Sequence, residues 1–215
     1  MNKQTGFTLI ELAIVLVIIG LLLGGVLRGQ ELINSARVKN MTRDFQNIQV
    51  YLYGYQDRFK AVPGDDANVV THLTGGTLAT TGGPTNNGQI GGLWDSQTPT
   101  DESYLFWQHV RLAGLAPGST IVGAAEYEPR NAAGGRIGVT SIANLTSITG
   151  MQGSYAVCSD LVLGRDALQL DTTLDDGNTA TGNVRVVLTG TATAGLATAA
   201  VTANQAGQHI VCMSL

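Results

Sequence analysis

Residues 7–27 read FTLIELAIVLVIIGLLLGGVL, and this stretch sets the organisation of the whole 215-residue chain. Every residue in it is apolar, small or hydroxylated except Glu11. As a helix rising ~1.5 Å per residue it is ~31 Å long, matching a hydrocarbon core of ~30 Å. A charged group at mid-span costs roughly 2.5–3.5 kcal/mol on insertion scales, so Glu11 belongs near one end of the span and needs a reason to be there. A secretory signal has a shorter apolar region followed by a small-residue cleavage site. Here the run is full length, no A-x-A site follows, and helical periodicity continues beyond it. The segment is therefore expected to stay in the mature protein.

Past the span, Met41, Phe45, Ile48, Leu52, Tyr55 and Phe59 recur at alternating steps of four and three, which draws an apolar stripe down one helix face. Arg43, Gln46, Asn47 and Asp57 occupy the opposite face. One long N-terminal helix is expected over 7–62, membrane-spanning over 7–27, with its second half packed on a globular head formed by 63–215. Pro63-Gly64 supplies a stop. Gly20/Gly24 and Gly25/Gly29 make two successive G-x-x-x-G spacings, which let helices approach closely.

The head reads as α+β, with an antiparallel sheet. Thr74–Gly92 is rich in Gly, Thr and Asn and reads as an exposed loop. Asp101–Leu115 has acidic residues at its start and a Gly/Pro close, a helix pattern. Strands are expected at Thr120–Gly123, Ile137–Ile142, Ser154–Cys158, Val184–Thr189 and His209–Ser214. Arg165–Leu174 reads as a helix ending at the turn Asp175-Asp176-Gly177-Asn178, and Thr191–Gly207 as a loop. No internal repeat or second domain is visible.

Charge and motifs narrow the function. The formal net charge of -4 is unevenly spread: residues 1–60 carry seven basic and four acidic groups, and the remainder carries five Arg against 12 acids. Phosphate binding depends on Lys and Arg, so a distal region this acidic is a poor partner for nucleic acid. Lysine occurs only at positions 3, 39 and 60, so there is no phosphate-binding G-K-[ST] loop. There is no G-x-G pair and no G-x-S-x-G elbow. His72, His109 and His209 are isolated from any Cys or His at zinc spacing. Asp171, Asp175, Asp176 and Asn178 offer oxygens of the kind Ca²⁺ takes, but their spacing is not that of an EF-hand loop and a D-D-G-N turn has backbone reasons of its own. The expectation is a non-enzyme without cofactor, this group being a weak calcium candidate.

Thr5-Gly6-Phe7-Thr8-Leu9-Ile10-Glu11 resembles the processing site of type IV pilins and type II secretion pseudopilins. The resemblance is close over roughly the first sixty residues and extends to the Pro63-Gly64-Asp65 turn. It implies a leader peptide at 1–6, made basic by Lys3. Cleavage would fall between Gly6 and Phe7 by prepilin peptidase, with N-methylation of Phe7. It further implies that Glu11 meets the Phe7 ammonium of a neighbouring subunit in a filament, and that an inner-membrane assembly platform and related minor pilins are partners. A plain signal anchor, with Glu11 reaching the interface, is the simpler alternative. Such proteins also pin a C-terminal loop with a disulfide, and Cys158 and Cys212 fit that role in an oxidising compartment, two buried free thiols being the alternative. Orientation is in conflict. Arg28, Arg37, Lys39 and Arg43 beside the span favour a cytoplasmic head, whereas the resemblance and the cysteines favour an exported one. Within the resemblance a major pilin, a minor pilin and a pseudopilin all remain open. Outside it, a membrane-anchored exported binding protein that never polymerises is the rival.

Overall fold

Helix α1 runs from Leu9 to Phe59, 51 residues without a break. The computed structural model describes residues 8–145, 148, 150–188, 202 and 206–215. The chain divides into two units between Arg37 and Val38, inside α1. In the first unit the apolar side chains from Leu9 to Leu27 are exposed all round the helix. Among the described residues α1 is the one helix long and apolar enough to cross a membrane. A helix with apolar residues on every face and no protein covering them is matched to lipid, where its backbone polar groups are satisfied internally.

The second unit begins where the pattern becomes one-sided. Val38, Met41, Phe45, Ile48, Leu52 and Tyr55 are buried and Phe59 partly so, while Arg43, Gln46, Asn47 and Asp57 face solvent, as the stripe predicts. The helix ends at Phe59, four residues before Pro63. Lys60 adopts the left-handed conformation (φ 55°), and its amide still bonds to the Gln56 carbonyl, so a lysine occupies the position glycine usually takes at a helix end.

The turn that follows is fixed to its surroundings by polar side chains. Asp66 Oδ2 accepts from the Tyr55 hydroxyl at 2.7 Å and pairs with His72 Nδ1 at 2.6 Å. His109 Nδ1 accepts the Gly64 amide at 2.9 Å, so its proton is on Nε2 and goes to the Thr77 carbonyl. Burial holds His109 neutral by lowering its pKa. The one-turn helix α2 (Val69–His72), which the sequence reading does not anticipate, follows this turn.

Helix α3 (Glu102–Leu112) is buried from Glu102 to Arg111, far more completely than an amphipathic pattern requires. Its buried polar groups tie down the loops around it. Glu102 Oε2 accepts the Gly91 amide at 2.6 Å. Arg111 donates to the Pro117, Ser119 and Tyr127 carbonyls, and Gln108 to that of Thr120. Thr120–Gly123 is accordingly not the expected strand: Gln108 takes the Thr120 carbonyl, and Ala124 closes a turn onto that of Ile121. The Thr74–Gly92 loop is mostly exposed as expected, but Ala79 and Ile90 are buried anchors.

Four strands form one antiparallel sheet in the order β1-β2-β4-β3: β1 (Ile137–Ser141), β2 (Tyr155–Leu163), β3 (Val184–Leu188) and β4 (Gln208–Ser214). Helix α4 (Gly164–Leu174) connects β2 to β3. β2 is longer than expected because it continues through a bulge between Ser159 and Val162. Side chains alternate across the sheet. Val139, Val157, Val211, Met213, Val184 and Val186 join the α1 and α3 side chains in the main core. Ala156, Cys158, Cys212 and Val187 face the other way, under Trp94, Ile142, Leu145, Ile148 and Met151. The α+β class is the one expected. The expected loop at Thr191–Gly207 lies almost wholly outside the described residues.

Carboxyls partly or wholly withdrawn from water give the fold a pH signature. Burial raises Glu102 to about 7, helped by nearby Asp65 and Asp101, and raises Asp44 and Asp171 to about 6. The folded chain therefore holds protons that the unfolded chain has released. The stability this confers is complete below the ordinary carboxylate pKa values and is lost as pH rises through the folded values. Asp66 is shifted the other way, so its contribution is lost only below its ordinary value. We expect the melting temperature of the protein in detergent to fall between about pH 5 and 7.5. Glu102→Gln, which keeps an acceptor for the Gly91 amide, should flatten that slope when followed by circular dichroism.

Candidate functional site

The first described turn of α1 gives Glu11 a partner within its own chain. Thr8 is the residue before the helix and Glu11 the third residue in it. The Thr8 amide and hydroxyl each donate to Glu11 Oε2 at 2.8 Å, and the Glu11 amide donates to Thr8 Oγ1 at 3.3 Å. This reciprocal arrangement is a capping box, in which two otherwise unsatisfied donors at a helix start are satisfied. A negative charge there also opposes the positive end of the helix dipole. The sequence reading assigns Glu11 but passes over Thr8, although T-x-x-E in front of an apolar run is the signal for it. Gly6, Phe7 and the leader at 1–6 lie outside the described residues.

Gly20, Gly24, Gly25 and Gly29 have no internal explanation. A Cβ added at any of the four would meet no atom within 4 Å. At ~100° per residue, Gly25 and Gly29 share a helix face with Glu11, and Gly20 and Gly24 lie ~140° round the axis. The helix thus carries two narrow stripes without side chains, one in line with its carboxylate.

Cys158 and Cys212 are joined. They are directly opposed in the β2–β4 register, with Cα atoms 4.1 Å apart, and both are fully buried on the second face of the sheet. The bridge is thus a link between two neighbouring central strands rather than a clasp from a loop to the head. It closes a segment of 54 residues that contains α4, β3 and the residues between β3 and β4. In the chain-entropy model a loop of this size gains about 4 kcal/mol, so replacing both cysteines by serine should lower the melting temperature by roughly 8–16 °C. Scanning calorimetry of the oxidised protein against the double variant checks this.

The acidic group is assembled in part. Asp171 lies in the last turn of α4, and one oxygen from each of Asp171, Asp175 and Asp176 falls within 4.8 Å of the others. Asn178 is used differently: its amide donates to Asp176 Oδ1 and its side-chain oxygen accepts the Ala180 amide. Asp171, Asp175 and Asp176 are the one group of three or more His, Cys, Asp or Glu with metal-holding geometry among the described residues. The histidines stand apart. His109 and His72 serve the turn after α1, and His209 is buried on β4.

Residues 1–27 match the prokaryotic N-terminal methylation motif, the signature of type IV pilin and pseudopilin precursors. Neither a curated protein nor a solved structure matches the chain. The N-terminal segment thus carries the signature of such precursors, and the matched residues include the first part of a helix long and apolar enough to cross a membrane.

Proposed function

We propose that the chain is a structural subunit of a type IV pilus-like filament. In this reading prepilin peptidase cleaves between Gly6 and Phe7 and the new N-terminus is methylated. The subunit waits as a single-pass inner-membrane protein with its head exported, and polymerises with copies of itself and related minor pilins through an inner-membrane platform. A minor pilin or a type II secretion pseudopilin is the nearest variant. The observation that carries the reading is the methylation motif fused to an exposed apolar helix with one carboxylate. Within a filament core the ammonium of an incoming Phe7 needs a counter-charge, and attraction at ~4 Å is about 4 kcal/mol at an effective dielectric near 20, before desolvation is subtracted. Glu11 and the glycine stripe in line with it would supply the charge and the close approach together.

A different class has one observation in its favour. A cleft of about 120 Å³ in the head is lined by Asp44, Tyr51, Trp107 and Arg111, the mixture of aromatic and polar groups found in ligand pockets. A membrane-anchored binding protein would use that cleft and would need neither processing nor Glu11.

The capping box makes the roles of Glu11 separable. Gln fills the same capping position as Glu, but without charge. If Glu11 serves assembly, Glu11→Gln and Glu11→Val both leave a cleaved membrane pool and lose most surface filaments. If it serves only as a cap, Glu11→Gln makes filaments normally and Thr8→Ala reproduces the Val defect. Sheared filament yield against membrane-pool abundance decides between them. Mass analysis of the membrane form should find a chain starting at methylated Phe7. A chain starting at Met1 would overturn the processing step, and with it the filament.

A further inference from the structure

We infer that the cleft between α1 and α3 binds a small zwitterion of the α-amino acid class, its ammonium held by Asp44 and its carboxylate by Arg111. The inference rests on the reading of that cleft as a ligand pocket and holds whether or not the chain polymerises. The central observation is a pair of opposite charges that line one cleft, Asp44 and the buried Arg111. Neither has an ion pair among the described residues. A charge withdrawn from water is costly unless it is paired, so each is suited to a counter-charge from outside the chain. The two do not pair with each other, which leaves the space between them for a ligand.

Two helices supply these groups by simple spacing. Asp44, Asn47 and Tyr51 recur at steps of three and four on α1, beside the buried stripe, and so share the face that lines the cleft. Asp44 makes no hydrogen bond among the described residues; burial raises its carboxyl to about 6, with no cation to hold it down. Trp107 and Arg111 come from α3, one turn apart. Arg111 is only 7% exposed. Its Nε and Nη1 are occupied by the Pro117, Ser119 and Tyr127 carbonyls, while Nη2 has no hydrogen bond. The guanidinium also lies 5.5 Å from the Trp107 ring centre and 5.2 Å from that of Tyr127. It is therefore fixed in place before any ligand arrives. Burial lowers its pKa, and the neighbours whose charge acts on it are Tyr127 and Tyr104 rather than a carboxylate.

Charge and size select the ligand. A simple anion would meet Asp44, and a simple cation would meet Arg111 and the exposed Arg130, so a molecule carrying both signs is the one that satisfies the cleft. The volume of about 120 Å³ has room for about four waters at ~30 Å³ each, well below the roughly 300–1,000 Å³ of drug-sized pockets. Ile48, Ile137 and the rings of Tyr51 and Trp107 offer apolar surface to a short side chain such as that of valine. A wider trough of about 370 Å³ adjoins the cleft and shares Asp44, Asn47 and Arg130 with it, which gives the ligand a way in from solvent.

The test uses the full chain in detergent near pH 7.5, where Asp44 is ionised, with L-valine as the probe in titration calorimetry. L-Valine should bind at about one molecule per chain with a Kd of ~1 mM or tighter. Isobutylamine lacks its carboxylate and isovalerate lacks its amine. Each should bind at least ~10-fold more weakly, the loss expected when one charge-assisted contact goes. Asp44→Asn keeps the shape and removes the charge, and should weaken L-valine at least ~10-fold. That variant should melt no lower than the wild type, because Asp44 makes no bond within the described fold. The carboxylate half is tested by the ligand rather than by a variant, since Arg111 also holds three loop carbonyls. No heat from L-valine up to ~10 mM would overturn the site. So would an undiminished affinity in the Asp44→Asn chain. Isovalerate or isobutylamine binding as tightly as L-valine would keep the pocket and overturn the zwitterion.

Discussion

The stripe from Val38 to Tyr55 makes α1 a component of the head rather than a stalk beside it. The residues of that stripe are buried in the same core as side chains of α3 and the sheet, so removing α1 would leave the main core without one wall. Deleting a single buried leucine or phenylalanine of this kind costs about 2–5 kcal/mol, a large part of the stability of a domain this size. The same backbone, twelve residues earlier, is apolar on every face and buried by nothing. One continuous helix therefore satisfies two solvents, and the change from an all-round to a one-sided pattern marks the boundary.

The head compensates for a modest sheet by burying polar groups. Asp65, Asp66, Glu102, His109 and Arg111 are all buried, and each is joined to backbone atoms of a loop or turn. These connections order long stretches that have no regular structure, between α2 and α3 and between α3 and β1. They also make the head sensitive to pH, because the raised carboxyls release protons as it rises toward neutrality.

Two sets of contacts hold together the part of the chain that runs from β2 to β4. The Cys158–Cys212 bridge joins β2 to β4, the two central strands. The acidic group at the end of α4 adjoins the entry to β3, the strand at the opposite edge from β1. Both lie on the segment between β2 and β4, where the sheet crosses over through a helix and a long connection. That is where loop closure is most demanding, since the ends must be brought together before the strands can pair.

Much of this was legible in residue order. Apolar run length gave the membrane-length helix, a 3–4 alternation gave the buried face of α1, and β-branched runs at Ile137, Val184 and His209 gave three of four strands nearly to the residue. Such features are local, set by the period of a helix or a strand. Thr8-x-x-Glu11 was equally local, and its capping geometry could have been read from spacing alone. What only the tertiary structure decided depends on residues far apart. Thr120–Gly123 has the composition of a strand, but Gln108 on α3 takes the Thr120 carbonyl and Arg111 that of Ser119 just before it. Cys158 and Cys212 face each other because β4 inserts beside β2 ahead of β3, an order no spacing encodes. Asp171 is buried because α4 turns it inward, and a run of acidic residues carries no mark of which one will lose its water.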